Sequence, residues 1–242
     1  GSAIISPRLS NTPTARLKPF LLISVRRCIS SGALAVELPF TIEYPDLWSP
    51  TEPTLYRVEA SIGNIDNPVD KIVVNVGFRK VSVDENNHLC LNGKVQNVRG
   101  VNLAHDRYGV GVALRSEHID ADLDMIKDMG ANALRSLSGP HDSYLYDRCD
   151  REGVMVWVDM PLTCSSQNFN DIYYYPTAAF KENALEQLME IVYQNYNHPS
   201  VVMWGLSPDS FPRTKTGFRS YQRLLRDSVF STYYFGFSFR NL

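Results

Sequence analysis

The four cysteines of this 242-residue chain are the side chains with the widest range of possible chemistry, from redox reactions to metal binding. They are Cys28, Cys90, Cys149 and Cys164. Zinc sites are marked in sequences by ligand pairs about two to four residues apart, and these cysteines lie much farther apart. Their spacing indicates isolated buried thiols or a single disulfide bond. We therefore expect no metal site and no cofactor.

A second set of reactive side chains lies at or directly after the ends of short apolar stretches. Such stretches predict strands, so these side chains are expected at strand ends. Arg135 and Asp159 end two such stretches, and this setting is typical of a structural ion pair. His105 has the setting of an ordinary loop histidine or of one that contacts a ligand. Trp204 is either a core residue or a surface on which a ligand stacks. What these side chains do depends on the elements that carry them.

Residues 37–88 have the pattern of antiparallel β-structure. Apolar and polar residues alternate at 38–44 and 56–62, as they do in half-buried strands, and the apolar stretch 71–76 follows a turn rich in Asn, Asp and Pro. Short strands separated by turns predict a β-sandwich. Residues 1–36 contain no acidic residue, and we interpret them as a basic leader or as a segment that completes the sandwich.

From residue 89 onward the pattern changes to alternating strands and helices. The predicted strands are 97–102, 131–137, 154–158 and 201–206, and the helices that follow them begin near Ser116, Asp142, Thr177 and Phe218. A continuous apolar run such as 154–158 is typical of a strand covered on both faces. Four consecutive βα units predict an α/β domain with a parallel sheet, for which a barrel is one arrangement.

Seven short motifs occur in order along these two regions. They lie at residues 47–56, 77–81, 91–94, 99–102, 132–135, 146–153 and 197–204. Together they resemble glycoside hydrolase family 2, which includes β-galactosidases, β-glucuronidases and β-mannosidases. The resemblance implies a multidomain β and α/β fold. The end of an Ig-like β-sandwich at 37–88 is followed, at 89–242, by the N-terminal half of a TIM (β/α)8 barrel.

The resemblance also implies a reaction. Enzymes of this family cleave β-linked O-glycosides with retention, using two carboxyl groups about 5 Å apart at the C-terminal face of the barrel. The acid/base follows the fourth strand, where this chain has Asp209 instead of glutamate and Pro208 instead of asparagine. The nucleophile follows a seventh strand, which these 242 residues do not include. A carboxyl misplaced by about 1 Å can cost ~10²-fold in rate, so we expect this chain to be catalytically incomplete.

Six further positions are implied to bind substrate by the same resemblance. They are His105, Asp106, Arg135, His141, Asp159 and Trp204. Two neighbouring positions depart from the family pattern. Ser138 stands where the family has a histidine. His141 takes the place of that histidine only if the loop is reshaped. Met160 stands where the family has a glutamate.

The composition narrows the choice of partners. With 44% hydrophobic residues and a formal net charge of −2, the chain has the profile of a globular protein, and its charge does not favour nucleic acid or an anionic membrane. It has no run of about 20 apolar residues that would cross a membrane. We expect a carbohydrate partner, no nucleic acid and no membrane. Open barrel edges also favour a homo-oligomer that covers them.

Two functions from different classes fit these observations. The first is hydrolysis of β-linked O-glycosides by the parent protein, β-galactosidase-like and retaining. The second is a non-catalytic carbohydrate-binding or scaffold homologue, which the changes at Ser138, Met160, Pro208 and Asp209 favour. A structural module without a ligand is a third interpretation. The sequence does not identify the sugar.

Overall fold

The computed structural model describes residues 3–7, 20–29, 32–42, 44–63, 67–137, 139–161 and 177–205. In chain order the described elements are β1 (Ala3–Pro7), β2 (Phe20–Ile29), β3 (Gly32–Thr41), β4 (Tyr56–Gly63), β5 (Pro68–Val76), β6 (Val81–Val83), β7 (Leu89–Leu91), β8 (Lys94–Val95), β9 (Gly100–Leu103), α1 (Ser116–Asp128), β10 (Ala133–Ser136), α2 (Ser143–Glu152), β11 (Met155–Asp159), α3 (Ala178–Asn195) and β12 (Val201–Gly205).

The first region consists of antiparallel β-structure, as predicted. β4 lies between β1 and β5, and β2 pairs with β3 in a hairpin. The predicted strands 56–62 and 71–76 lie within β4 and β5, and the predicted strand 38–44 overlaps the end of β3. A buried apolar cluster of this region consists of Tyr56, Val58, Val76 and Phe78. The rings of Tyr56 and Phe78 meet edge to face, with centroids 5.2 Å apart.

The antiparallel strands β6, β7 and β8 lead from the first region into the second. The boundary predicted between residues 88 and 89 lies between β6 and β7. A buried cluster joins the two regions and consists of Trp48, Leu91, Ala133 and Met155. The indole Nε1 of Trp48 donates to the carbonyl of Asp150 over 2.8 Å. Since Asp150 precedes β11, the first region contacts the second near the N-terminal ends of the parallel strands.

The second region contains a parallel sheet with the strand order β12-β11-β10-β9, as the βα units predict. Leu134, Val156 and Val158 are buried in the core that this sheet forms with the helices. Side chains alternate along a strand, so Arg135 and Asp159 project from the opposite face of the sheet. The sheet therefore separates an apolar core from a face that carries charged groups.

Local capping explains where the helices begin and end. The carboxylate of Asp142 and the hydroxyl of Thr177 each accept a backbone N–H group from the first turn of α2 and α3. Gly153 ends α2 with a φ of 72°, a left-handed conformation that favours glycine. α1 begins at Ser116, as predicted, and Arg115 is its N-cap.

The parallel sheet has two outer strands. Within the part of the chain that the structure describes, β9 and β12 each pair with a single neighbour. The fourth helix, predicted near Phe218, lies outside the described residues. None of the described helices combines the length and the apolar composition that crossing a membrane requires.

Candidate functional site

Five of the six predicted substrate-binding residues lie near the carboxyl ends of β9, β10 and β11. His105 and Asp106 follow β9, Arg135 lies in β10 with His141 in the loop after it, and Asp159 ends β11. Carboxyl ends of parallel strands meet at the same edge of a sheet, and loops at this edge position functional groups in α/β barrels. We use the term rim for His105, Arg135, His141 and Asp159.

Arg135 and Asp159 form the charged centre of the rim. Arg135 Nε donates to Asp159 Oδ2 over 2.8 Å, and the Asp159 side chain is fully buried. The guanidinium carbon of Arg135 also lies 4.8 Å from the centroid of the Trp157 ring, within range of a cation–π interaction. The ion pair that the sequence favours is therefore confirmed. The Arg135 side chain is 25% exposed, and its guanidinium carries further N–H groups besides the one bonded to Asp159.

Gly205, which was not among the predicted site residues, makes this arrangement possible. A Cβ atom on residue 205 would overlap with Asp159 Oδ1 and would lie 2.5 Å from Trp157 Nε1. Glycine within a strand often marks such a close approach. Its place in an otherwise apolar strand, directly after Trp204, was the available signal.

His105 and His141 form the second part of the rim. Their ring centroids are 4.8 Å apart, with an angle of 48° between the ring planes. The structure therefore brings His141 beside His105; Ser138 lies outside the described residues. His141 is 9% exposed, and neither of its ring nitrogens makes a hydrogen bond of normal geometry with a described residue.

The environment of His141 keeps its imidazole uncharged. Burial, followed by the neighbouring His105, lowers the pKa of His141 from 6.5 to about 4, while a backbone interaction with Leu137 acts in the opposite direction. A neutral imidazole has one N–H donor and one acceptor nitrogen. His141 is therefore able to donate one hydrogen bond and accept another at neutral pH.

Tyr146 holds the loop that carries His141. The backbone N–H of His141 donates to Tyr146 Oη over 2.8 Å, and the Tyr146 side chain is fully buried in α2. Burial raises the pKa of Tyr146 to about 12, against the effect of hydrogen bonds from His141 and with Ser136. Tyr146 was not among the predicted site residues, although it begins the motif at residues 146–153. Its position on the buried side of α2, next to Leu145, was the available signal.

Two further predicted residues, Trp204 and Asp106, do not belong to the rim. Trp204 packs against the core between the sheet and the helices and is paired in register with Val158, a placement that favours its interpretation as a core residue. Asp106 is exposed and lines an open groove beside β9, together with Asp122 and Met125. Asp209, the predicted acid/base, lies outside the described residues.

A separate cluster of possible metal ligands lies at the opposite end of β12. Ligand atoms of Asp147, Asp150 and His198 lie within 4.8 Å of one another. The carboxylate of Asp150 already makes hydrogen bonds through both oxygens, at 2.6 Å with His198 Nδ1 and at 2.9 Å with the Ser200 N–H. These bonds tie α2 to the loop before β12, so the cluster has a structural role.

The two cysteines with described side chains are isolated thiols. Cys90 and Cys149 are both free and buried. Burial raises the pKa of the Cys149 thiol well above its usual range, which makes it unreactive. For these two residues, the interpretation as isolated thiols is confirmed. Cys28 and Cys164 lie where side chains are not described.

Two family profiles match the chain. The profile described as "Glycosyl hydrolases family 2, TIM barrel domain" matches residues 81–228, and the profile described as "Glycosyl hydrolases family 2" matches residues 19–79. The first match covers the parallel sheet and its helices, and the second covers most of the antiparallel region.

Individual relatives give the same result. A β-glucuronidase of Bacteroides fragilis is 35% identical over 180 residues, which is 74% of this chain and 26% of the relative. A β-galactosidase of Bacteroides ovatus is 29% identical over 69% of this chain and 19% of its own length. The chain thus spans about a quarter or less of the length of these relatives.

Solved structures show the same fold. The apo structure of a Bacteroides uniformis β-glucuronidase has a TM-score of 0.67 and 26% identity, covering 88% of this chain and 27% of that chain. A β-galacturonidase from Eisenbergiella tayi, solved with galacturonate bound, has a TM-score of 0.67 and 25% identity, covering 95% of this chain and 44% of that chain. The sandwich and the first part of the barrel are therefore shared with these enzymes.

Proposed function

The chain belongs to glycosyl hydrolase family 2, and from this membership we propose that the whole protein hydrolyses β-linked O-glycosides in the manner of a β-galactosidase, with retention of the anomeric configuration. Within that function, the rim binds the sugar. The relatives are named as β-glucuronidases and β-galactosidases, which supports a β-glycoside as the substrate class.

The observation that carries this proposal is the state of His141. Buried polar groups in proteins almost always have hydrogen-bond partners, and an exception calls for a specific explanation. His141 is buried beside His105, and apart from an interaction with the Leu137 backbone neither ring nitrogen has a hydrogen bond of normal geometry with a described residue. A sugar hydroxyl both donates and accepts hydrogen bonds, so it meets the needs of a neutral imidazole. The remaining N–H groups of Arg135 offer further donors on the same rim.

The proposed reaction uses two carboxyl groups. Asp209 gives its proton to the glycosidic oxygen as the bond from that oxygen to the anomeric carbon breaks, while a second carboxylate forms a covalent bond to this carbon. Asp209, now a carboxylate, then takes a proton from water, and the resulting nucleophile releases the sugar. Arg135 and His141 orient the sugar in both steps. In this proposal Asp209 is the one catalytic residue among the 242 residues.

Carbohydrate binding without catalysis is the second candidate function. Met160 supports it, because its side chain is 2% exposed and belongs to the core between the sheet and the helices. The family pattern has a glutamate at this position. Pro208 and Asp209 are further departures beside the proposed chemistry.

Calorimetric titration with galactose, glucuronate and mannose tests the binding step that both candidates share. We expect saturable binding of at least one sugar, lost in both His141→Leu and Arg135→Met. His88→Leu is the matched control, because His88 is exposed and lies far from the rim along the chain. The absence of saturable heat with all three sugars would contradict both candidates. Turnover of nitrophenyl β-glycosides by the longer natural protein distinguishes hydrolysis from binding alone.

We also propose that copies of the chain associate along the edges of β9 and β12. A groove beside β9 supports this, since it is lined by Met125 and Met129, which are 55% and 67% exposed. Light scattering after size-exclusion chromatography measures the mass. A monomer at all concentrations would contradict the proposal.

A further inference from the structure

We propose that Tyr146 is a positioning residue, whose buried hydroxyl sets the position of His141 relative to Asp159 and thereby assembles the rim. Tyr146 lies in α2 and makes no contribution to the charge of the rim. Its effect on a ligand is transmitted through the loop that follows β10 and through the end of β11.

The first connection runs from Tyr146 to His141. Tyr146 Oη accepts the backbone N–H of His141 over 2.8 Å, in a fully buried setting. The next residue, Asp142, caps α2 by accepting the N–H of Tyr144 over 2.8 Å. His141 therefore lies between the end of β10 and the capped start of α2, and its own N–H donates to Tyr146. The direction in which its imidazole points toward His105 depends on that bond.

The second connection runs from Tyr146 to Asp159. The Tyr146 hydroxyl also interacts with the side chain of Ser136, which is buried at the end of β10. Ser136 Oγ in turn accepts the backbone N–H of Asp159 over 3.4 Å. One hydroxyl thus links the loop that holds the imidazole to the strand end that holds the carboxylate.

A tyrosine that only filled space would need no such polar links. The ring of Tyr146 does pack in the core, with His198 at a centroid distance of 5.5 Å. Phenylalanine would retain that packing and lose the two polar connections. Tyr146→Phe therefore separates the two roles, because only the positioning role depends on the hydroxyl.

The matched control is Tyr144→Phe. Tyr144 lies in the same helix, and its hydroxyl also makes a hydrogen bond, to Asp120 Oδ1 over 2.9 Å. It differs from Tyr146 in having no contact with the rim through that hydroxyl. A general effect of removing a tyrosine hydroxyl from α2 would appear in both variants.

The experiment is NMR of the 242-residue chain and its variants. In Tyr146→Phe we expect amide exchange of His141 to become at least about tenfold faster. We also expect the pKa of His141 to rise from about 4 toward 6.5 as the freed loop gains solvent. Tyr144→Phe is expected to change neither quantity. Unchanged exchange and an unchanged His141 pKa in Tyr146→Phe would overturn the inference.

The affinity arm of the experiment rests on the proposed function. If the rim binds a sugar, Tyr146→Phe is expected to weaken that binding about tenfold, with Tyr144→Phe unchanged. Should no sugar bind the wild type, the proposed function fails, while the exchange and pKa measurements still decide the role of Tyr146. If Tyr146→Phe does not fold, the exchange rate of the His141 amide in the wild type tests the role of Tyr146 instead. Exchange of the His141 amide as fast as in an unstructured loop would contradict the inference, and protection would support it.

Discussion

Gly205 lies directly against the carboxylate of Asp159, and any side chain at position 205 would occupy the space of Asp159 Oδ1. The two residues are paired in register across β11 and β12. The Arg135–Asp159 ion pair therefore depends on the absence of a side chain on the neighbouring strand.

Gly205→Ala is expected to displace Asp159 and Trp157, and to lower the free energy of unfolding by about 2 kcal/mol, the usual cost of overpacking. Gly100→Ala is the control, because a Cβ atom there would meet its nearest neighbours at 3.7 Å, an ordinary contact. Urea denaturation of both variants measures the difference. Equal stabilities of the two variants would contradict this prediction, because they would show that the end of β12 accommodates a methyl group without a loss in the free energy of unfolding.

Arg135→Met removes the cation from a fully buried carboxylate. We expect the free energy of unfolding to fall by about 3 kcal/mol at pH 7, because an uncompensated buried charge is costly. Adding Asp159→Asn in the same chain is expected to recover part of this loss, since the amide carries no charge. A double variant less stable than Arg135→Met would argue against this electrostatic explanation.

His141 predicts a specific dependence of stability on pH. Its folded-state pKa of about 4 lies below the ordinary value of 6.5. As the pH falls below about 6.5, the unfolded chain binds a proton at this residue while the folded chain does not, so stability decreases until about pH 4. Between pH 7 and pH 5 this contribution amounts to about 2 kcal/mol.

Replacing His141 by leucine tests this contribution. The loss of stability between pH 7 and pH 5 is expected to be about 2 kcal/mol smaller in His141→Leu than in the wild type. Met125→Leu is the control, because Met125 is 55% exposed and has no titratable group, and it is expected to keep the wild-type dependence. Identical pH profiles for wild type and His141→Leu would rule out a depressed pKa.

Trp48→Phe tests the junction between the two regions. Trp48 is fully buried, and its Nε1 donates to the carbonyl of Asp150 over 2.8 Å. Loss of this bond and of ring volume is expected to lower the free energy of unfolding by about 2–3 kcal/mol. Tyr193→Phe, at a tyrosine that is 54% exposed, is expected to stay within about 0.5 kcal/mol of the wild type.

The 242-residue polypeptide is expected to show no turnover of nitrophenyl β-glycosides. Retaining hydrolysis requires two opposed carboxyl groups, and the sequence has a shortened acid, Asp209, preceded by Pro208 where the family pattern has asparagine. A spectrophotometric assay of released nitrophenol measures turnover. Steady turnover that disappears in Asp209→Ala would refute this prediction.

Much of the fold was predictable because its signals are local. Asp142, Gly153 and Thr177 act within one helical turn, so the ends of α2 and the start of α3 were visible in the sequence. Alternating or continuous apolar runs likewise identified the strands, because burial on one face or two requires those patterns. The start of α1 near Ser116 was predicted as well, but its N-cap, Arg115, was not, because the N–H of Arg115 donates to His118 Nδ1 over 3.1 Å, a pairing that propensity does not reveal.

The candidate site was predictable only in part. The resemblance to the family indicated Arg135, His141 and Asp159, whereas Tyr146 and Gly205 were indicated only by their positions next to Leu145 and Trp204. Whether Trp204 faces the core or a ligand was likewise not predictable from the sequence. Alternation along β12 determines which residues share its face, but the position of the helices determines which face becomes core.

The sequence by itself determined the order of the elements, the ends of the helices and the family, since these depend on residues near one another or on motifs in a fixed order. Only the tertiary structure decided that His141 meets His105, that Gly205 makes room for Asp159, and that the hydroxyl of Tyr146 links the parts of the rim. These contacts join residues on different strands and helices. They exist because the parallel strands pair in one register, and that register is a property of the packed sheet rather than of any single segment.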